Sequence, residues 1–298
     1  MIKNSKTADI ALIVTAIIWG TGFIGTEYAI GTGAKTSLII AMRFVFSGLI
    51  LLAIYAKEIK KIEKQTLKIG ITAGVMLFFG FYFQTLGQSN TTVSNSSFLT
   101  STSVIMVPFL VWLVTKKAPH TKLFILAFTV LIGVGVLTLD FSSGISFQTG
   151  DLFVLLGSLC FAIHIAFLGI FARELNSKQM TFLQMMTAGV VGTIFMLIFD
   201  IQAVDFVIMK AAFFPTLYLA AFSGCVCYYL QTTAQQYASP SKAGLFLSLE
   251  GFFGCVFSVI LGIDALTSNL IIGGAIILTS VILAEVDFGF FKKEKVHN

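Results

Sequence analysis

Residues 36–64 read TSLIIAMRFVFSGLILLAIYAKEIKKIEK. The first 21 of these, residues 36–56, carry one charge, Arg43, and then four lysines (Lys57, Lys60, Lys61, Lys64) fall within eight positions. A helix of about 20 apolar residues spans the hydrocarbon of a bilayer. Lysines gathered at one end of such a run mark the end that stays in the cytoplasm. The stretch therefore reads as a membrane-spanning helix with its C-terminal end inside, and the rest of the chain is read outward from it.

The pattern repeats. Apolar runs fall at roughly 10–28, 36–56, 68–88, 94–115, 122–140, 151–172, 179–199, 213–236, 242–262 and 268–286. They are apolar on all sides, so lipid or other helices must surround each one. They are too long and too unalternating for strands of an outer-membrane barrel. Composition agrees: 57% of the 298 residues are apolar and only 11% are charged, against about 25% charged in soluble domains. Such a chain cannot cover a water-facing surface, which excludes an ordinary soluble enzyme, a nucleic-acid reader and a disordered chain.

Charge placement fixes the alternation. Lys3 and Lys6, the cluster Lys57, Lys60, Lys61, Lys64 and Lys68, then Lys116, Lys117, Lys122, Arg173, Lys178, Lys242, Lys292, Lys293 and Lys295 make sixteen positive charges on one side of a ten-span chain. The other side has Lys35 and Lys210. Both termini are expected in the cytoplasm, and Lys3 and Lys6 are read as flanking an uncleaved first span. Cys160, Cys225, Cys227 and Cys255 all lie in apolar runs and read as small buried hydrophobes. No metal site is expected, since Cys225-Val226-Cys227 has no third ligand near it in sequence.

An internal repeat crosses the chain. Asp9 through Trp19 aligns with Asp151 through Phe161 at an offset of 142, and Gln84-Thr85 with Gln231-Thr232 at an offset of 147. The second register also places Gln88 on Gln235 and Ser101 on Ser248. The expected fold is an all-α polytopic membrane protein of ten transmembrane helices in two inverted five-helix repeats. The first repeat is residues 1–142, and the second is 143–298 with a short basic cytoplasmic tail. Five is odd, so the second repeat enters the membrane upside down, as in alternating-access carriers with a site between the repeats near the midplane.

Polar groups inside spans are costly and mark candidate sites. Glu250 in span nine and His164 in span six fall at similar depth when counted at 1.5 Å per residue, and together could hold a substrate amine or relay a proton. The alternative is a structural polar contact for each. Glu27 and Arg43, near the same end of spans one and two, are expected to form an ion pair that locks two helices, or to act as an external gate. Gln84 and Gln88 share a face of span three, four residues apart, as do Gln231 and Gln235 in span eight. Either set could contact substrate or hold helices together. Trp19, mid-span beside Gly20 and Gly22, could wall a cavity or pack in a core. Residues 91–97, Thr-Thr-Val-Ser-Asn-Ser-Ser, read mostly as a loop and a capped helix start. The spacing GxGxxG at Gly20–Gly25 sits in an apolar span, not between a strand and a helix, and is set aside.

In order and spacing these residues resemble the drug/metabolite transporter superfamily, in its EamA-type ten-helix branch, over almost the whole chain. Trp19-Gly20, Arg43-Phe44, Phe98-Leu99-Thr100 with Val107-Pro108, Gly150-Asp151-Leu152, Phe161 through His164, and Gln231, Gln235, Ser239-Pro240 and Leu249-Glu250 are similar to that family's motifs. Gly251 stands where the family often has proline. The Gly-Glu that often ends spans four and nine is replaced, with Lys117 near the first position and Ile263-Asp264 near the second. The resemblance implies an exporter of small metabolites, often amino acids or related compounds.

The functional expectation is a secondary transporter in the cell (cytoplasmic) membrane that exports a small polar or amphipathic metabolite by alternating access. Its cavity would be lined by Trp19, Gln84, Gln231, Gln235, His164 and Glu250, with protonation of Glu250 as the coupling step. Expected partners are a small-molecule substrate, the lipid bilayer and protons, with a homodimer as the oligomer to test. No nucleic acid, cofactor or catalytic set is expected. The competing readings are a facilitative carrier or importer, and a non-transporting sensor or assembly protein.

Overall fold

The computed structural model describes residues 2, 4–119, 121–138 and 148–285. The expected repeat boundary at 142/143, Lys3 and the tail lysines Lys292, Lys293 and Lys295 lie outside the described residues. Every regular element among the described residues is helical: α1 Ser5–Gly31, α2 Thr36–Ile59, α3 Lys64–Gln88, α4 Val93–Ser101, α5 Ser103–Thr115, α6 Thr121–Thr138, α7 Thr149–Phe171, α8 Ser177–Phe199, α9 Phe206–Tyr218, α10 Cys227–Ala234, α11 Pro240–Ile260 and α12 Ser268–Glu285.

Short polar residues start many of these helices by accepting from their orphan N–H groups. Asn4 and Thr7 form a reciprocal capping box on α1. Thr92, Asn176, Asp205 and Ser239 cap α4, α8, α9 and α11. Residues 94–97, read from sequence mostly as a loop, lie inside α4, because the Thr92 cap starts the helix at Val93. α4 and α5 together form one apolar span, Val93–Thr115. It is interrupted at Thr102, whose N–H and hydroxyl both donate to the Leu99 carbonyl in place of a regular helical bond. The eighth span, Phe206–Ala234, runs through α9, a π-helical segment Leu219–Val226 and α10. Eight spans are long and apolar enough to cross a bilayer with ease. α6 and α12, 18 residues each, reach about 27 Å, just short of a hydrocarbon core of about 30 Å.

The ten spans pack in a two-fold pattern. Exchange each span of the first repeat with its counterpart five spans later, and every major contact maps onto another. α2 packs on α8, α6 on α12, and α4 on α11, each a pair of counterparts. α3 on α7 maps onto the eighth span on α1, and α1 on α11 onto the fourth span on α7. Antiparallel succession of five-span repeats makes that exchange an inversion, with the axis in the membrane plane.

The two ends of the bundle differ in chemistry. At the basic end Lys178 pairs with Glu58 at 2.6 Å and Lys242 with Asp9 at 2.8 Å. Arg173 and Gln236 add hydrogen bonds to loop carbonyls of Gln236 and Leu175. At the opposite end carboxylates take donors from neighbouring helices: Ser37 donates to Asp200, Thr91 to Asp151, and the Ser94 N–H with the Ser258 hydroxyl to Asp264. Asp264, in the segment that departs from the family pattern, thus sits at the N-terminus of α4, where a carboxylate complements the helix dipole. The ends of spans four and nine remain alike, with left-handed residues Lys116 (φ 59°) and Gly262 (φ +68°). Only the second has the glycine that this conformation favours.

Candidate functional site

A cavity opens between the repeats, and its lining follows the two-fold. At the offset of 142, Trp19 pairs with Phe161, Gly22 with His164 and Phe23 with Ile165. At 147, Phe81 pairs with Tyr228, Gln84 with Gln231 and Ser103 with Glu250. All twelve line it, with Thr26, Arg43, Ser223 and Leu247. The two repeat registers read from sequence therefore converge on one place, the pseudo-two-fold axis.

Its aromatic walls come in symmetric pairs. The Trp19 ring lies 5.1 Å from Tyr228, and its counterpart Phe161 lies 4.9 Å from Phe81. Phe81 and Tyr228 meet at 6.1 Å. Tilted and edge-on geometry at these separations is the favourable one for aromatic rings. The symmetry reaches the hydrogen bonds as well. Gln88 donates to the Phe23 carbonyl at 2.9 Å and Gln235 to the Ile165 carbonyl at 3.1 Å, the same bond in each repeat.

Ionisable groups break the symmetry. His164 stands where the first repeat has Gly22, and Glu250 where it has Ser103. His164 is buried, and its Nε2 is 2.6 Å from Gln184 Oε1. Gln184 Nε2 donates to the Met180 carbonyl at 3.1 Å, which fixes the amide orientation. Its oxygen therefore accepts, and His164 Nε2 carries the proton. Glu250 and Arg43 both line the cavity, and among the described residues they do not form an ion pair.

Arg43 and Glu27, expected from their depth to pair, are held apart. Glu27 accepts from Gln88 Nε2 at 3.1 Å, toward the end of span three. Arg43, 2% exposed, extends into the cavity. Its Nη2 donates to Ser223 Oγ at 2.6 Å, its guanidinium lies 4.0 Å above the Phe81 ring, and its Nε has no partner. Ring faces stabilise a cation by their quadrupole, which lets the guanidinium sit here with one hydrogen bond. Counting residues along two helices gives depth, not which helices pack together, and α1 packs chiefly on α11 while α2 packs on α8.

The π-helical segment supplies these contacts. Widening the turn from i+4 to i+5 frees carbonyls for other donors. Trp19 Nε1 donates to the Ser223 carbonyl at 3.0 Å and Ser47 to that of Ala220 at 3.0 Å. Tyr218, at the entry to the segment, bonds the Thr21 hydroxyl. Cys225 and Cys227, at its end, lean on the carbonyls of Ser47 and Thr15 as packing residues.

Of the site residues read from sequence, the structure brings together Trp19, Gln84, His164, Gln231 and Glu250, and adds Arg43. Gln235 and Glu27 lie outside the lining. Sequence reading missed Ser223, which carries no motif of its own. It also missed Phe81 and Tyr228, which the offset of 147 already related to one another. The cavity holds about 30 Å³, room for about two waters.

Comparison with known proteins agrees in kind. The EamA-like transporter family matches residues 6–139 and again residues 148–285. An uncharacterized transporter of Archaeoglobus fulgidus (strain ATCC 49558 / DSM 4304 / JCM 9628 / NBRC 100126 / VC-16) is 29% identical over 279 residues, covering 94% of this chain and 86% of that protein. A crystal structure superposes with a TM-score of 0.70 over 95% of this chain and 97% of the other at 15% identity, a likeness of fold alone. Ten spans, two matched halves and a cavity between them lead to one conclusion: the chain belongs to the EamA-like transporter family, within the drug/metabolite transporter superfamily.

Proposed function

We propose that the protein is a secondary exporter of a small polar or amphipathic metabolite, such as an amino acid or a related compound, driven by protons through alternating access. The observation that carries this reading is the cavity on the two-fold axis, where Glu250 and Arg43 face one another without pairing. A carboxylate and a guanidinium kept apart in an apolar surrounding are costly, and such a cost is sustained where a substrate or a proton completes the site. Glu250 is the coupling carboxylate and Arg43 its fixed counter-charge. His164, tied to Gln184, orients the wall rather than relaying the proton.

Room for about two waters is too little for a metabolite. Substrate therefore enters only when the repeats rock apart at one end, and the close two-fold packing suits such a rigid-body motion. The basic end faces the cytoplasm of the cell membrane, by the excess of lysine there.

The test is flux in liposomes reconstituted with the purified protein, with and without an inward-acid pH gradient. Pooled amino acids and polar metabolites serve as cargo. Flux that follows the gradient in the wild type and is lost in Glu250→Gln supports the reading. Gradient-driven flux that survives in the variant removes Glu250 from coupling, and flux indifferent to the gradient makes the protein a facilitator.

A further inference from the structure

The two ends of the bundle carry the same device in different chemistry. Thr92 and Ser239 are related by the offset of 147, and each caps its helix by accepting from the N–H three residues on, that of Asn95 and that of Lys242. Asn95 and Lys242 therefore hold one position in the two repeats. Asp9 and Asp151, related by 142, also hold one position, Asp9 just past the first turn of α1 and Asp151 in the first turn of α7.

At the basic end the pair is ionic. Lys242 Nζ lies 2.8 and 2.9 Å from the two Asp9 oxygens and 3.2 Å from Ser5 Oγ, tying α11 to α1. At the opposite end Asp151 is fully buried and takes a 2.6 Å hydrogen bond from Thr91, tying α7 to the start of α4. The Asn95 side chain interacts with the same carboxylate, yet its second oxygen lacks a fully formed hydrogen bond. Among the described residues it forms no ion pair. The site that holds a lysine in one repeat holds an amide in the other.

We propose that these clusters are the two latches of the carrier, each closing one face, and that their unequal charge biases the resting protein toward a shut basic end. The inference rests on the alternating-access reading above. An inverted repeat makes equivalent residues the natural gates of opposite faces, because the motion that separates one pair leaves the other closed. A half-exposed ion pair shifts such an equilibrium by about two- to fivefold.

The experiment is hydrogen–deuterium exchange of the full chain in lipid nanodiscs, read on peptides covering residues 5–12 and 240–247 at the basic end and 91–97 and 149–154 at the other. Lys242→Asn, which copies the other repeat, is expected to speed exchange about threefold at the basic end alone. Asn95→Lys, which supplies the missing cation, is expected to slow it by a similar factor at the opposite end. Asp9→Lys combined with Lys242→Asp keeps a pair with its signs exchanged and should restore wild-type exchange, which separates a latch from mere misfolding. Equal changes at both ends, or none, overturn the latches. Flux assays on the same samples keep the two ideas distinguishable. A wild type that moves no solute but exchanges as expected sinks the carrier reading, and active transport with unchanged exchange sinks the latches alone.

Discussion

Gln84 and Gln231 occupy equivalent places in the two repeats, both facing the central cavity, and they behave differently. Gln84 Nε2 donates to Thr100 Oγ1 at 3.0 Å. The residue equivalent to Thr100 is Leu247, which also lines the cavity, and Gln231 Oε1 has no partner. One glutamine is spent on the scaffold, and the other has a buried oxygen that finds no partner among the described residues. Residue type differs in the same way at Ser103 against Glu250 and at Gly22 against His164, although His164 is hydrogen-bonded to Gln184. Where the repeats agree, as in the bonds of Gln88 and Gln235 to the carbonyls of Phe23 and Ile165, the residues build the fold. Where they disagree, the second repeat supplies polar groups to the cavity wall. An unpaired buried polar atom costs about 1–3 kcal/mol; Gln88 and Gln235 each carry one as well, so it is the place of Gln231 in the cavity lining that singles it out.

The largest effect is expected at the most asymmetric pair. Glu250→Gln should bring gradient-driven flux to background, while Ser103→Ala at the equivalent place should leave it within about twofold, since a cavity-facing hydroxyl supplies one ordinary hydrogen bond. Side-by-side liposome assays with matched protein content decide it. Comparable losses in both variants would mean that the asymmetry is not what matters.

Much of this was legible in the chain. The spans and their alternation followed from hydrophobicity and lysine placement, because a bilayer imposes length and charge rules that soluble folds lack, and the repeat offsets followed from matched residues such as Gln84-Thr85 and Gln231-Thr232. Equal depth put His164 and Glu250 at one level, and both line the cavity. The ion pair expected of Glu27 and Arg43 does not form, because depth does not say which helices pack together, and α1 and α2 pack mainly on other spans. The π-helical segment was hidden too, as nothing local in LAAFSGCV distinguishes a turn of five from a turn of four. Its role depends on donors from spans one and two, Trp19 and Ser47.

A second contrast sits where the repeats cross. Gly157 packs against the backbone of α3, so that a Cβ there would lie 2.8 Å from the Gly80 carbonyl and 2.9 Å from the Gln84 N–H. The equivalent contact in the other half, Thr15 against Cys227, already holds side chains. Gly157→Ala should destabilise the protein by about 1–3 kcal/mol through overpacking against backbone. Thr15→Ala should cost about 1 kcal/mol, the loss of one buried methyl group, since its hydroxyl makes a back-bond to the Ala11 carbonyl. Thermal melting in one detergent, read by intrinsic fluorescence, ranks the two. Equal melting temperatures would show that α3 and α7 can separate enough to admit a methyl group, and the close approach would then not be tight.

The smallest effect separates the two glutamines themselves. Gln84→Leu removes an interhelical hydrogen bond, worth about 0.6 kcal/mol inside a membrane, and Thr100 keeps its own bond to the Ser96 carbonyl at 2.8 Å. Gln231→Leu removes an unpaired oxygen, so stability should hold or rise by a few tenths of a kcal/mol. Transport should order them the other way. Loss of one substrate hydrogen bond at Gln231 should raise the apparent KM by about fivefold, with little change for Gln84→Leu. Melting curves and concentration-dependent flux on the same two variants give four numbers, and the argument needs them to cross. If Gln231→Leu is the less stable variant and transports normally, that residue has a structural partner in another conformation, and its vacancy here reflects one stage of the cycle rather than a place kept for substrate.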